Sequence, residues 1–395
     1  MPPAPERMGG GAVAYAGIGR ELTQYAIDRA SGALEPTHVV HLPQGVQYAW
    51  PHRSRRYLYV ACSDGGPGVE GTRHFLCAFR VRPDGALQPH GDPVRLERRP
   101  VHLTLDAESR YALATCANPS GIAVHRIRDD GMIGAAVPQS ARIELEKTAH
   151  QLRFTPSGRT ALVPCRGNPP HDGKPEDPGS LRIFDYRDGQ LAPRIAIAPD
   201  GGYGFGPRHV DFHPSKPWCY MSIERQNEIA LFTLEGEQVS GPVSRKTTLA
   251  HPEALKPRQL AGAMHVHPNG RFAYVSNRAD GTVDWRGEKV FNGGENTIAV
   301  YALDAASGEP TLVQCADTHG MHPRTFALDP SGELLVAANM TTRKVRDGEA
   351  LREVPGGLSV FRVGGDGRLA FLRKLDADVS RETMFWMGIA ELPEA

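Results

Sequence analysis

Short runs of alternating apolar and polar residues are broken throughout the chain by Gly, Pro, Asp and Ser, and no stretch carries the three-to-four apolar spacing of a helix. The pattern predicts strands from end to end. The clearest runs follow a proline turn: "TPSGRTALVPCR" (155–166), "HPSKPWCYMSIE" (213–224), "HPNGRFAYVSNR" (267–278) and "DPSGELLVAANM" (329–340). "PHRSRRYLYVAC" (51–62) and "DAESRYALATCA" (106–117) are degraded copies, so six copies recur at a period of roughly 50–60 residues.

A second signature, an aromatic and β-branched strand ending in a polar turn, occurs seven times, from "LTQYAIDRASGAL" (22–34) to "LSVFRVGGDGRL" (358–369). Seven against six leaves one unit incomplete at the N-terminal side, and "ETMFWMGIAEL" (382–392) is an apolar strand placed to complete it. The expected fold is all-β: a seven-bladed β-propeller of four-stranded antiparallel blades, closed by the C-terminal strand joining the N-terminal blade. A pair of β-sandwiches accommodates seven copies of one unit poorly. The expected organisation is a flexible N-terminus (1–11) followed by one propeller domain (12–395), since no Ser/Gly-rich or Pro-rich linker divides the chain.

Register locates the candidate chemistry. Six residues before the turn prolines Pro156, Pro214, Pro268 and Pro330 lie His150, Arg208, Gly262 and Arg324; ten residues after them lie Arg166, Glu224, Arg278 and Met340. The two strands flanking a tight turn run antiparallel, so the start of the first and the end of the second meet at one face of the ring. His150, Arg166, Arg208, Glu224, Arg278 and Arg324 are thereby expected around one mouth. Four guanidiniums with one carboxylate and one imidazole suit an anionic small molecule, because the guanidinium fork matches carboxylate and phosphate.

Composition narrows the classes. The 45 basic and 45 acidic residues balance to zero, against the basic excess usual in nucleic-acid and membrane-surface proteins. No signal-like segment or run of eighteen apolar residues is found, so a cytoplasmic protein is expected. The six cysteines lack CxxC or Cys/His spacing and read as reduced, mostly buried thiols. The histidine-bearing segments offer no HExxH or carboxylate–histidine spacing, so neither metal nor cofactor is expected. "GGGAVAYAGIG" (9–19) leads into a strand where a dinucleotide loop needs a helix N-terminus.

The segments "HQLRFTPSGR", "GPRHVDFHP", "MHVHPNGRFAYVSNR" and "HPRTFALDPSGELLVAAN" make the chain resemble, nearly end to end, the lactonase family of seven-bladed propellers. That group includes bacterial 6-phosphogluconolactonase and fungal 3-carboxy-cis,cis-muconate lactonizing enzyme. The resemblance implies a cofactor-free enzyme acting on a lactone ring, with His150, Arg208, Glu224 and Arg278 matching the family's proposed active-site residues. The chain departs from compact members in three long polar segments on the mouth side, 166–180, 278–296 and 340–357, expected as loops that narrow or lid the cavity.

The expected reaction is hydrolysis of an anionic sugar-acid lactone, a 6-phosphogluconolactone or an aldarate or uronate lactone. Glu224 is the expected base and His150 the acid, the reverse being nearly equivalent; Arg208 and Arg278 face the oxyanion or a substrate carboxylate. Arg166 and Arg324, with Asn277 and Asn339, are expected to bind the rest of the substrate. Carboxymuconate cycloisomerisation would use the same parts, and a non-catalytic binding propeller would need exposed aromatics at the mouth, where only Trp285 and Phe291 qualify. The expected partner is the small substrate alone, with no nucleic acid or membrane, in a monomer or weak homo-oligomer.

Overall fold

The computed structural model describes residues 11–171 and 173–393. It is an all-β ring of seven blades, and the only helical turns among the described residues are short 3₁₀ segments at Pro199–Gly202 and Pro252–Ala254. The expected flexible N-terminus lies outside the described residues except for Gly11, whose carbonyl accepts the Leu392 N–H.

The blades repeat one antiparallel meander. The fifth blade, for example, runs outward from the axis as Pro207–Phe212, Trp218–Ile223, Glu228–Glu235 and Gln238–Thr247. The first blade differs as the sequence mismatch requires: Ala12–Ile18, Glu21–Asp28 and Ala33–His41 come from the N-terminal side, and Met384–Glu391 supplies the innermost strand. Ring closure is thus a β-ladder joining the two ends of the chain.

The core is divided among the joints between blades. Seven separate clusters of buried apolar side chains each draw on two successive blades, as where Val210, Met221 and Phe232 of the fifth blade meet Leu162 and Ile183 of the fourth. Four joints also share a polar latch. The buried hydroxyls of Tyr15, Tyr59, Tyr220 and Tyr274 donate to the carbonyls of Gly85, Gly131, Gly308 and Gly367 in the following blade's outer turn. Each glycine has positive φ, and a Cβ at Gly308 would stand 2.6 Å from the Trp218 ring. The "ASG" and "GDG" turns of the repeat are therefore needed both for backbone conformation and for close approach.

Two of the three long mouth-side segments are ordered as β-structure rather than the expected loops. Hairpins Thr282–Trp285/Glu288–Phe291 and Arg343–Asp347/Ala350–Val354 pair through Val290 and Lys344 into an eighth, accessory sheet. Trp285 is half-buried there, with the Arg286 and Arg346 guanidiniums 4.5 and 5.1 Å from its ring.

Every innermost strand contains one more residue than its neighbour near the mouth. The extra residue is Phe385, Gln47, Val101, Arg208 and Arg324 in the first, second, third, fifth and seventh blades. In the fourth blade it falls within His150–Leu152, and in the sixth it is Gly262 or Ala263. A bulge breaks strand alternation and re-aims the side chain it carries.

The tyrosine latches generate a prediction. Tyr220→Phe leaves the Gly308 carbonyl without its buried donor and should lower stability by about 1–2 kcal/mol, with an unchanged urea dependence. A urea titration showing no loss would mean that apolar packing alone secures the joint.

Candidate functional site

The mouth encloses a cavity of about 960 Å³. His150, Arg166, Glu224, Arg278 and Arg324 line it, so five of the residues selected by register come together on its wall. Arg208 does not reach the wall and lies fully buried against Glu224. Asn277 and Asn339, expected to bind substrate, are buried away from the cavity. Their amides are engaged instead, Asn277 with the Thr248 carbonyl and Thr297 Oγ1, Asn339 with Ser359 Oγ. Each side chain thus bridges neighbouring segments of the blade interior instead of facing the cavity.

Glu224 is the centre of the site and has no solvent exposure. Its position just beyond the Trp218–Ile223 strand is fixed by backbone bonds to two neighbours: its N–H donates to Gly206 O (2.7 Å) and its carbonyl accepts from Ala261 N (2.9 Å). Arg166 Nη1 donates to Oε1 and Arg278 Nη2 to Oε2, the latter at 2.5 Å. Arg208 Nε lies 2.8 Å from Oε2 but is not aligned as a hydrogen bond, and both Nε and Nη1 of Arg208 lack a hydrogen-bond partner. Burial alone would push the Glu224 carboxyl up; the Arg166, Arg278 and Arg208 guanidiniums more than offset it and hold the group at about 2. Burial and the adjacent Arg278 in turn lower Arg208 to about 9.

The histidines around this centre are neutral. His150 is buried, its Nδ1 has no partner, and desolvation followed by the Arg208 charge keeps it well below the usual histidine range. His209 stands beside it with ring centroids 5.2 Å apart and is depressed in the same way.

Three wall residues escaped the sequence reading. His322 Nε2 lies 3.2 Å from Arg278 Nη1, which can only donate, so the ring's own proton resides on Nδ1. That Nδ1 is 3.7 Å from Asp280 Oδ2. Asp280 takes a bidentate fork from Arg258 (2.6 and 2.9 Å) and lies 3.6 Å from Arg343 at the root of an accessory hairpin. The third residue, Arg99, donates Nε and Nη2 to Gln47 Oε1 at 3.1 and 2.9 Å. Arg99 and His322 occupy one register, eight residues before Ala107 and Pro330. Reading the register two residues further upstream, and including the degraded copy where Ala107 replaces the proline, would have found both.

No group of three or more His, Cys, Asp and Glu side chains able to hold a metal occurs among the described residues. The six cysteines are free thiols, five of them buried. Among the described residues no helix is long and apolar enough to cross a membrane.

Comparison with known proteins agrees with this architecture. Residues 11–347 match the family described as "Lactonase, 7-bladed beta-propeller". A 6-phosphogluconolactonase of Pectobacterium carotovorum is 26% identical over 318 residues, covering 80% of this chain and 84% of the relative. That of Bacillus subtilis is 27% identical over 255 residues, covering 62% and 64%. The periplasmic gluconolactonase of Pseudomonas aeruginosa superimposes with a TM-score of 0.73 at 21% identity, covering 97% of this chain and 99% of that one. With the family match spanning most of its length, the chain belongs to the lactonase family of seven-bladed β-propellers.

Proposed function

We propose that the protein hydrolyses the ring ester of an anionic sugar-acid lactone by acid/base catalysis without a metal. The observation that carries this reading is the fully buried, ionised Glu224 carboxylate among three guanidiniums, on the wall of a cavity that the neutral His150 imidazole also lines. Family membership and the names of the relatives support lactone chemistry in particular.

The geometry supports giving both proton transfers to His150 and an electrostatic role to Glu224. Both Glu224 oxygens are engaged by guanidiniums, which leaves neither free to take a proton from water. Glu224 serves as the fixed anion that orients Arg166 and Arg278. His150, neutral and on the wall, takes a proton from water as the water oxygen bonds to the ring carbonyl carbon. The carbonyl electron pair moves onto its oxygen, where Arg166 and Arg278 face the developing charge. Collapse of this intermediate breaks the bond to the ring oxygen, and the imidazolium returns its proton there. The same burial and cationic surroundings that depress His150 make its protonated form a ready donor. Arg208, off the wall, acts through Glu224 rather than on substrate.

Three outcomes are expected. In a pH-indicator assay containing EDTA, at least one member of a panel of glucono-1,5-lactone, its 6-phosphate, and aldarate and uronate lactones should be turned over; silence on all would remove the hydrolase reading. Glu224→Gln should lower kcat by about 10²–10³-fold through loss of oriented charge, and His150→Ala by about 10²–10⁴-fold; near wild-type rates in either would exclude that residue from its role.

The third concerns pH. His102, His150, His209 and His322 are all held well below the usual value, chiefly by burial. Below pH of about 6.5 the unfolded chain takes up protons at these rings that the native chain does not, so stability should fall as pH is lowered from 7 to 5. Glu224 adds a further loss beginning near its unfolded value of 4.5 and continuing toward about 2. Urea midpoints that stay constant down to pH 5 would contradict the buried neutral state.

A further inference from the structure

Two guanidiniums on the cavity wall have no acidic partner among the described residues. Arg166, Arg208 and Arg278 share the Glu224 carboxylate. Arg324, 8% exposed, makes no hydrogen bond or ion pair among the described residues and lies with Cζ 3.8 Å from the centroid of the Phe385 ring. Arg99, 7% exposed, has only the neutral Gln47 oxygen as partner, and its Cζ is 5.9 Å from the same ring. The two cations are near enough that each is held in a field of others: burial, then Arg208, Arg278 and Arg99, lower Arg324, while burial and Arg166 lower Arg99 to about 10.

The placement is built by the backbone. Arg324, Phe385 and Gln47 are the extra residues of the seventh, first and second inner strands, which are neighbours around the ring. Glu224 and its three arginines come from the fourth, fifth and sixth blades. One wall of the cavity is thus charge-compensated around a carboxylate, and the other presents bare guanidiniums on an aromatic ring. Buried cations without counter-charge oppose folding and are retained where an anion completes them.

We propose that Arg99 and Arg324, positioned by Gln47 and Phe385, form a second anion subsite that binds a phosphate or carboxylate group of the substrate remote from the reacting carbonyl. Only the identity of the molecule carrying that group rests on the lactonase reading; anion binding by the two arginines does not. The guanidinium pair fixes the far end of the substrate, so the lactone carbonyl is delivered to the His150 and Arg278 wall, and lactones lacking the anionic group are discriminated against.

Inorganic phosphate, titrated calorimetrically into the full chain at low ionic strength, should bind and raise Tm. Arg99→Gln and Arg324→Met should each weaken binding about tenfold or more, the loss of one charge-assisted contact, and Arg99→Lys should recover part of it. Unchanged phosphate affinity in both variants overturns the subsite. Arg324→Met should also raise Tm of the unliganded protein by removing an uncompensated charge; a lowered Tm would make the guanidinium part of the fold and overturn the proposal.

With lactones, Arg99→Gln should reduce the kcat/KM preference for glucono-1,5-lactone 6-phosphate, or for a uronate or aldarate lactone, over glucono-1,5-lactone itself, mainly through KM. The arm that loses its preference names the group recognised, and loss in neither overturns the proposal. Weakened phosphate binding in the variants of a protein that turns over no lactone would leave the subsite standing and remove the lactonase reading; turnover with unaltered preference would do the opposite.

Discussion

In a ring of antiparallel blades the side chains of an innermost strand alternate between its two flanking joints, so a strand in perfect register directs all of them into apolar wedges between blades. An axial site needs that alternation broken. Each inner strand of this protein contains one extra residue near the mouth, and four of those positions hold Gln47, Arg208, Arg324 and Phe385. Polar and aromatic groups leave the joints there without disturbing the seven apolar clusters further along the strands. The bulge lets the ring-building strand also set Arg324 on the cavity wall and Arg208 against Glu224.

Desolvation determines how those groups behave. Glu224 is sealed from water and stays ionised because three guanidiniums converge on it; those guanidiniums in turn owe their orientation to the carboxylate. Burial and the surrounding cations disfavour the charged form of the imidazoles between them, which rest neutral. An acid that does not protonate and histidines that do not charge give fixed protonation states across the physiological range. The cavity is therefore preorganised, with its charges placed before any ligand arrives.

The frame around it is suited to that rigidity. Tyrosine hydroxyls tie the second strand of one blade to the outer turn of the next at four joints, and the Met384–Glu391 strand joins the chain's two ends. On the mouth side Asp280 connects three elements, taking Arg258 from the loop before the sixth blade, Arg343 from the accessory sheet and His322 from the seventh blade. Through His322 and Arg278 that node reaches Glu224 itself. The accessory hairpins are thus wired to the centre of the site by a chain of polar contacts.

The ring was legible in the chain because its period is local: a proline turn, a β-rich run and a "DG" or "SG" turn recur whatever the distant contacts. The mouth was legible through antiparallel geometry, which equates the residue six before each turn with the residue ten after it. In the third, fifth and seventh blades that earlier residue is Val101, Arg208 and Arg324, each the extra residue of a bulge. Counting along one strand cannot reveal a bulge, since the excess exists only relative to a partner. Contacts beyond one strand were equally hidden: Asn277 and Asn339 resembled site residues while serving blade interiors, and 278–296 and 340–357 looked like loops although they pair with each other between the adjacent sixth and seventh blades. The sequence alone brought His150, Arg166, Glu224, Arg278 and Arg324 to the mouth. The tertiary structure decided which guanidiniums meet a carboxylate and which are left bare, because charge compensation depends on distances between blades that no local pattern encodes.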